Sequence, residues 1–202
     1  MGHDGGLEVQ GLEAEIEGMR RGTKSILFGV HQFIIHPIVV LIAWVKLYGR
    51  PNWKEFVCII IHDWGYWGKR KMDDEEGERH PEWAARFALL WLDWGDLETK
   101  GFTYFDLCLY HSRHLAKARG VEPSRLCWAD KLSILYEPWW FYLPRAWASG
   151  ELQEYREAAA KGWGISLSAT HREWYRFVQE KLAILAREQK GDAVPYVNQV
   201  KG

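Results

Sequence analysis

The chain alternates apolar runs with short polar breaks, and the runs have helical rather than strand lengths. Ser25 to Val45 carries no Lys, Arg, Asp or Glu. Within it, Pro37 suits the first turn of a helix, where its missing N–H costs nothing. That helix reads Ile38 to Tyr48 and stops at Gly49, with Pro51 just beyond. Asn52 is placed to cap the next helix, which runs through Lys54 and Glu55 to Ile61. Gly65 to Glu78 is polar and glycine-bearing and reads as a loop. Pro81 opens a helix from Glu82 to about Trp94, and Tyr104 to Arg119 reads as one further helix. Pro123 and Ser124 start another, and two more follow over about Gly150–Lys161 and Ser168–Gln189. The β-branched residues near 38–45 and 57–61 could suit buried strands, but their caps and lengths favour helix, and hairpin signals are absent. The expected fold class is all-α, a helical bundle.

The uncharged stretch 25–45 is long enough to span a bilayer. It contains His31, Gln32, His36 and Pro37, which are costly in lipid, so a buried helix pair is the better reading and no membrane partner is expected. The expected organisation is an arm over residues 1–24, one domain over 25–190 and a flexible tail over 191–202. Residues 1–24 lack the apolar run of a signal peptide.

Lys and Arg total 26 against 27 Asp and Glu, which argues against a dedicated nucleic-acid binder. Three cysteines, Cys58, Cys108 and Cys127, lie in apolar stretches without CxxC spacing. They suggest reduced thiols in a cytoplasmic protein. Thirteen tryptophans exceed ordinary core needs and suit pockets or a homo-oligomer interface. Tyr136 to Pro144 is the densest aromatic run. It reads as packing first and as a base-stacking wall second.

The chemistry lies in histidines and aspartates set along this apolar framework. His62-Asp63 ends the run Phe56 to Ile61, and His36, His80, His111, His114 and Asp130 also adjoin apolar helices. An imidazole and a carboxylate are costly to bury unless something compensates them, and a divalent metal ion compensates both. His111 and His114, three apart, would share one helical face. His31 competes with His36 as a ligand. His171 reads as a solvated helix start.

These elements resemble the HD-domain metal-dependent phosphohydrolases, whose signature is H…HD…D. The similarity runs from about Ser25 to about Tyr142. Phe33 to Val40 resembles the first ligand motif of RelA/SpoT-type alarmone hydrolases, and Ala129-Asp130-Lys131-Leu132 resembles the motif of the last carboxylate. The resemblance implies an HD-domain helical bundle with a first metal site of His36, His62, Asp63 and Asp130. His80-Pro81 and the segment around His111 and His114 look like the second-metal elements of two-metal members, with Asp63 able to bridge. Such a donor set suits one or two ions of Mn²⁺, Co²⁺, Fe²⁺ or Zn²⁺.

The activity implied is hydrolysis of a phosphoester or phosphoanhydride of a small-molecule nucleotide by metal-activated water. Nucleoside mono- or triphosphates, including deoxynucleotides, come first. Cyclic-nucleotide, dinucleotide or alarmone phosphodiesterase activity is the alternative. Asp63, Lys69, Arg113 and Lys131 are the expected catalytic and phosphate-facing residues. The chain departs from the family after His62-Asp63. Trp64-Gly65-Tyr66-Trp67-Gly68-Lys69 stands where alarmone hydrolases carry two acids, and Glu75, Glu76, Glu78 or Glu82 would have to substitute. Histidine richness leaves an HD-type diiron oxygenase open, and the missing acid leaves a non-catalytic nucleotide sensor open.

Overall fold

The computed structural model describes residues 18–72, 74–93 and 103–190. They form α1 (Arg21–Phe28), α2 (Ile35–Tyr48), α3 (Trp53–Ile61), α4 (Glu75–Glu78), α5 (Pro81–Trp91), α6 (Tyr104–Leu109), α7 (Arg113–Arg119), α8 (Arg125–Ser133), α9 (Trp139–Ser149), α10 (Glu151–Trp163) and α11 (His171–Lys190). Single 3₁₀ turns cover Trp64–Tyr66 and Ile134–Tyr136. No strand occurs among the described residues, so the all-α expectation holds. Among them, no helix is long and apolar enough to cross a membrane. The tail 191–202 lies outside the described residues, as does Trp94, where the helix from Glu82 was expected to end; α5 stops at Trp91. Of the arm, residues 1–17 lie outside as well, whereas Arg21 to Lys24 form the first turn of α1.

Local signals start and stop these helices as the sequence implies. Asn52 and Glu55 form a capping box: the Asn52 side chain accepts from Glu55 N–H at 2.9 Å, and Glu55 Oε2 accepts from Asn52 N–H at 2.8 Å. α2 closes at Gly49, whose φ of 80° a side chain would strain. Ser124 caps α8, and Thr170 with Glu173 caps α11.

The structure corrects one expectation. Tyr104–Arg119 is not one helix. The Tyr110 carbonyl accepts from Ser124 N–H at 2.9 Å, so it is lost to the helical ladder. Ser112 then caps a new helix by accepting from Leu115 N–H. His111 therefore sits in the turn and His114 in the first turn of α7, and the two do not share a helical face. The aromatic segment after Tyr136 is a helix, α9, with Pro144 inside it. It divides by face: Tyr142 and Leu143 are buried, whereas Trp139, Trp140 and Trp147 are exposed.

Two main apolar clusters hold the bundle, with a third, minor one of Ile26, Tyr66 and Met72. The larger joins α2, α3, α5, α6 and α8, with Val40, Trp44, Ile59, Ala88, Leu107 and Leu126 fully or almost fully buried. The smaller joins α9, α10 and α11 around Tyr142, Leu152, Trp174 and Tyr175. The polar ends of α2, α3, α5 and α8 meet between them. Asn52→Ala removes the side-chain half of the capping box and is expected to cost about 1 kcal/mol in a urea-unfolding titration, with Asn52→Asp losing less.

Candidate metal centre

Five separate pieces of chain deliver one donor set. His36 lies in the first turn of α2, His62 caps the C-terminus of α3, and Asp63 follows it. His80 precedes Pro81 at the start of α5, His111 lies between α6 and α7, and Asp130 projects from α8. All six are buried. Their donor atoms form two groups, His36/His62/Asp63/Asp130 and Asp63/His80/His111, each with donor atoms within 4.8 Å of one another. Asp63 belongs to both through different oxygens. Its Oδ2 lies 3.0 Å from His36 Nε2 and 3.1 Å from His62 Nε2. Its Oδ1 lies 3.4 Å from both His80 Nε2 and His111 Nε2.

The ring orientations test whether a cation fits. His62 Nδ1 donates to the Ile59 carbonyl at 2.8 Å, His80 Nδ1 to Gly77 at 2.8 Å and His111 Nδ1 to Cys108 at 2.5 Å. A carbonyl can only accept, so each Nδ1 carries a proton and each Nε2 points inward, where the neutral ring offers a lone pair. His80 Nε2 and His111 Nε2 then face each other at 2.9 Å, which two lone pairs do not favour without a positive charge between them. His62 Nε2 and Asp63 Oδ2 are close, yet neither has a partner in hydrogen-bond geometry. Buried polar atoms of this kind need compensation. The residues therefore fit a divalent metal ion, and each group could hold one.

Charge balance supports the same reading. Burial disfavours a charged His62, but the carboxylates of Asp63 and Asp130 outweigh it and carry its pKa up to about 10. Burial drives His80 the other way, to about 3, and His111 adds to the shift. Burial would raise the carboxyl of Asp63, but His62 and His31 hold it well below the usual carboxylate range. Asp130 is depressed against burial by Lys131, whose Nζ lies 3.1 Å from Oδ2.

Several expected roles shift. His114 is exposed and belongs to neither donor group, although it lines the cavity above them, so the residue of that segment that could ligate a metal is His111. His31 is not in the donor set. Its Nδ1 meets the Glu151 carboxylate at 2.9 Å, and its Nε2 stands 3.9 Å from Asp63 Oδ2. Arg113 and Lys131 line the cavity. Lys69 does not. It lies 3.8 Å from Glu76 and lines a groove beyond His80 with Trp64, Trp67 and Trp83. Of the acids considered as replacements, Glu78 reaches the cavity and accepts from Ser112 Oγ, while Glu82 is paired with Arg79.

The departure after Asp63 has a packing reason. A side chain at Gly65 would place its Cβ 1.9 Å from the His80 carbonyl, so only glycine lets this turn approach the start of α5. Tyr66 then stacks on the His80 ring at 3.7 Å between centroids. This segment supports a ligand rather than supplying an acid.

Sequence reasoning missed Glu151. Fully buried, it accepts from Ser25 Oγ, Val30 N–H, His31 Nδ1, Ser149 Oγ and Tyr155 O–H, which ties α1, α9 and α10 to the metal centre. Its ordinary helix-start sequence carries no signal of this, because the partners lie up to 126 residues away.

The cavity above the donors measures about 640 Å³ and is also lined by Ser112, Lys117 and Glu122. Arg113 and Lys117 form no ion pair among the described residues, and they share the cavity wall with Glu78 and Glu122. No protein-family model, curated protein or solved structure matches the chain.

Two measurements follow. Wild-type protein loaded with Mn²⁺ is expected to carry up to two ions per chain by elemental analysis, and Gly65→Ala, which displaces His80, no more than one. Glu151→Ala strands several buried donors and is expected to cost about 3–5 kcal/mol in chemical unfolding, with Glu151→Gln milder.

Proposed function

We propose that this protein is an HD-type metal-dependent phosphohydrolase acting on a small nucleotide. One observation carries the reading: Asp63 joins two donor groups on the floor of a cavity whose wall also carries Arg113, Lys117 and Lys131. His36, His62, Asp63 and Asp130 would hold one ion, and Asp63, His80 and His111 a second. A divalent ion there supplies Lewis acidity toward a phosphoryl oxygen and lowers the pKa of bound water.

The chain's own residues do the rest. Arg113 offers two parallel donors to a phosphate, and Lys117 adds a point charge. Lys131 holds Asp130 and faces the same cavity, so it acts first as an orienting group. His114, exposed on the cavity wall, is placed to exchange a proton with a leaving group. Glu78, held by Ser112, takes the place of the acid absent after Asp63. A small-molecule substrate fits this cavity better than a nucleic-acid strand, because the chain has no excess of basic residues.

The second donor group also favours an alternative. Two imidazoles and one shared carboxylate suit iron, as an HD-type diiron oxygenase would need. Iron content with oxygen uptake separates the two readings.

The test is product analysis after incubation with Mn²⁺ and a panel of ribo- and deoxynucleotides, cyclic nucleotides, dinucleotides and guanosine alarmones. Cleavage of a phosphoester or anhydride is expected, reduced by at least about 100-fold in Asp63→Asn. An inactive wild type across the whole panel sinks the proposal.

A further inference from the structure

A second cavity, of about 370 Å³, opens onto the metal centre from the side of α9, α10 and α11. It shares His31, Tyr66, Arg113, Asp130 and Lys131 with the larger cavity, and His36 lies on its wall. The two are therefore continuous across the donor set. They differ in chemistry. The larger is polar, with basic and acidic side chains together on its wall. The smaller is polar only where it meets the metal ligands, and beyond them Tyr142, Tyr155, Trp163 and Trp174 line it together with Val178 and Leu182.

We infer that this second cavity is the nucleoside subsite, so that the substrate is a mononucleotide with its phosphate toward Arg113 and Lys117 and its base among the aromatic rings of α9–α11. The inference rests on the phosphohydrolase reading and narrows its substrate class. Three observations support it. The cavity is continuous with the donor set, so one molecule can span both. Its polarity falls with distance from the donors, in the order phosphate, sugar and base require. Its volume lies at the small end for ligand pockets, which suits one nucleoside rather than two. Aromatic walls favour flat bases by stacking and discriminate little among them. A purely aliphatic tail would need no such rings.

Gly162 provides the test. It lines this cavity, and a Cβ there meets nothing within 4 Å, so a larger side chain can occupy the opening without displacing the fold. Ala158, also on the wall and exposed, offers a second position should one variant fail to fold. Calorimetric binding to the Mn²⁺-loaded full chain is compared for dAMP, orthophosphate and octyl phosphate, in wild type, Gly162→Phe and Ala158→Phe. Wild type is expected to bind dAMP roughly tenfold or more tightly than orthophosphate, and the ratio to collapse toward one in the folded variants. A wild type that does not distinguish dAMP from orthophosphate overturns the inference. So does an unchanged ratio in the variants, or tighter binding of octyl phosphate than of dAMP. Binding is read without turnover. Protein that binds dAMP through this cavity but cleaves nothing sinks the hydrolase reading and not the subsite. Nucleotide cleavage that is indifferent to both substitutions sinks the subsite alone.

Discussion

The structure depends on how the Asp63 carboxylate is kept charged at 5 % exposure. A lone buried carboxylate is costly enough to protonate or to resist burial. Here four imidazoles surround it, two at each oxygen, and a second carboxylate stands behind one pair. Three of the imidazoles, His62, His80 and His111, are fixed in turn by backbone carbonyls at the ends of helices, where unpaired carbonyl groups are plentiful. The helix termini thus set the tautomers, the tautomers set the direction of the lone pairs, and those directions make the centre suited to a cation.

That arrangement makes demands on distant parts of the chain. α5 must begin against the turn after Asp63, which requires Gly65, and Tyr66 must lie under the His80 ring. His31 must be held near Asp63 but outside the donor set. Glu151 does this from the start of α10, and Gly29 leaves room for it, since a Cβ there would come 2.3 Å from the Glu151 carboxylate. The C-terminal helices are therefore joined to the centre by a buried polar network as well as by apolar contact. They also enclose the apolar cavity that opens onto it. One junction anchors α9–α11 and places their aromatic faces beside the His/Asp donor groups.

Much of this was legible in the chain. Helix type followed from run length, Pro37, Gly49 and the Asn52 cap, because these act within a few residues. The residues of the two donor groups were legible as types out of place, since imidazole and carboxylate at the ends of apolar runs require a compensating partner. What the sequence by itself determined is therefore the all-α class, most of the helix starts and a pool of candidate donors that still included His31 and His114. The tertiary structure alone decided that Asp63 serves both groups, that His111 rather than His114 faces it, that Lys69 lies beyond His80, and that Glu151 holds His31. The physical reason is reach. Capping and periodicity are local, whereas the direction of a lone pair or an ammonium group depends on packing between segments that meet only once the chain has folded. The break at Tyr110 shows it most simply, because the competing donor for its carbonyl is Ser124, beyond the end of the helix that the local pattern implied.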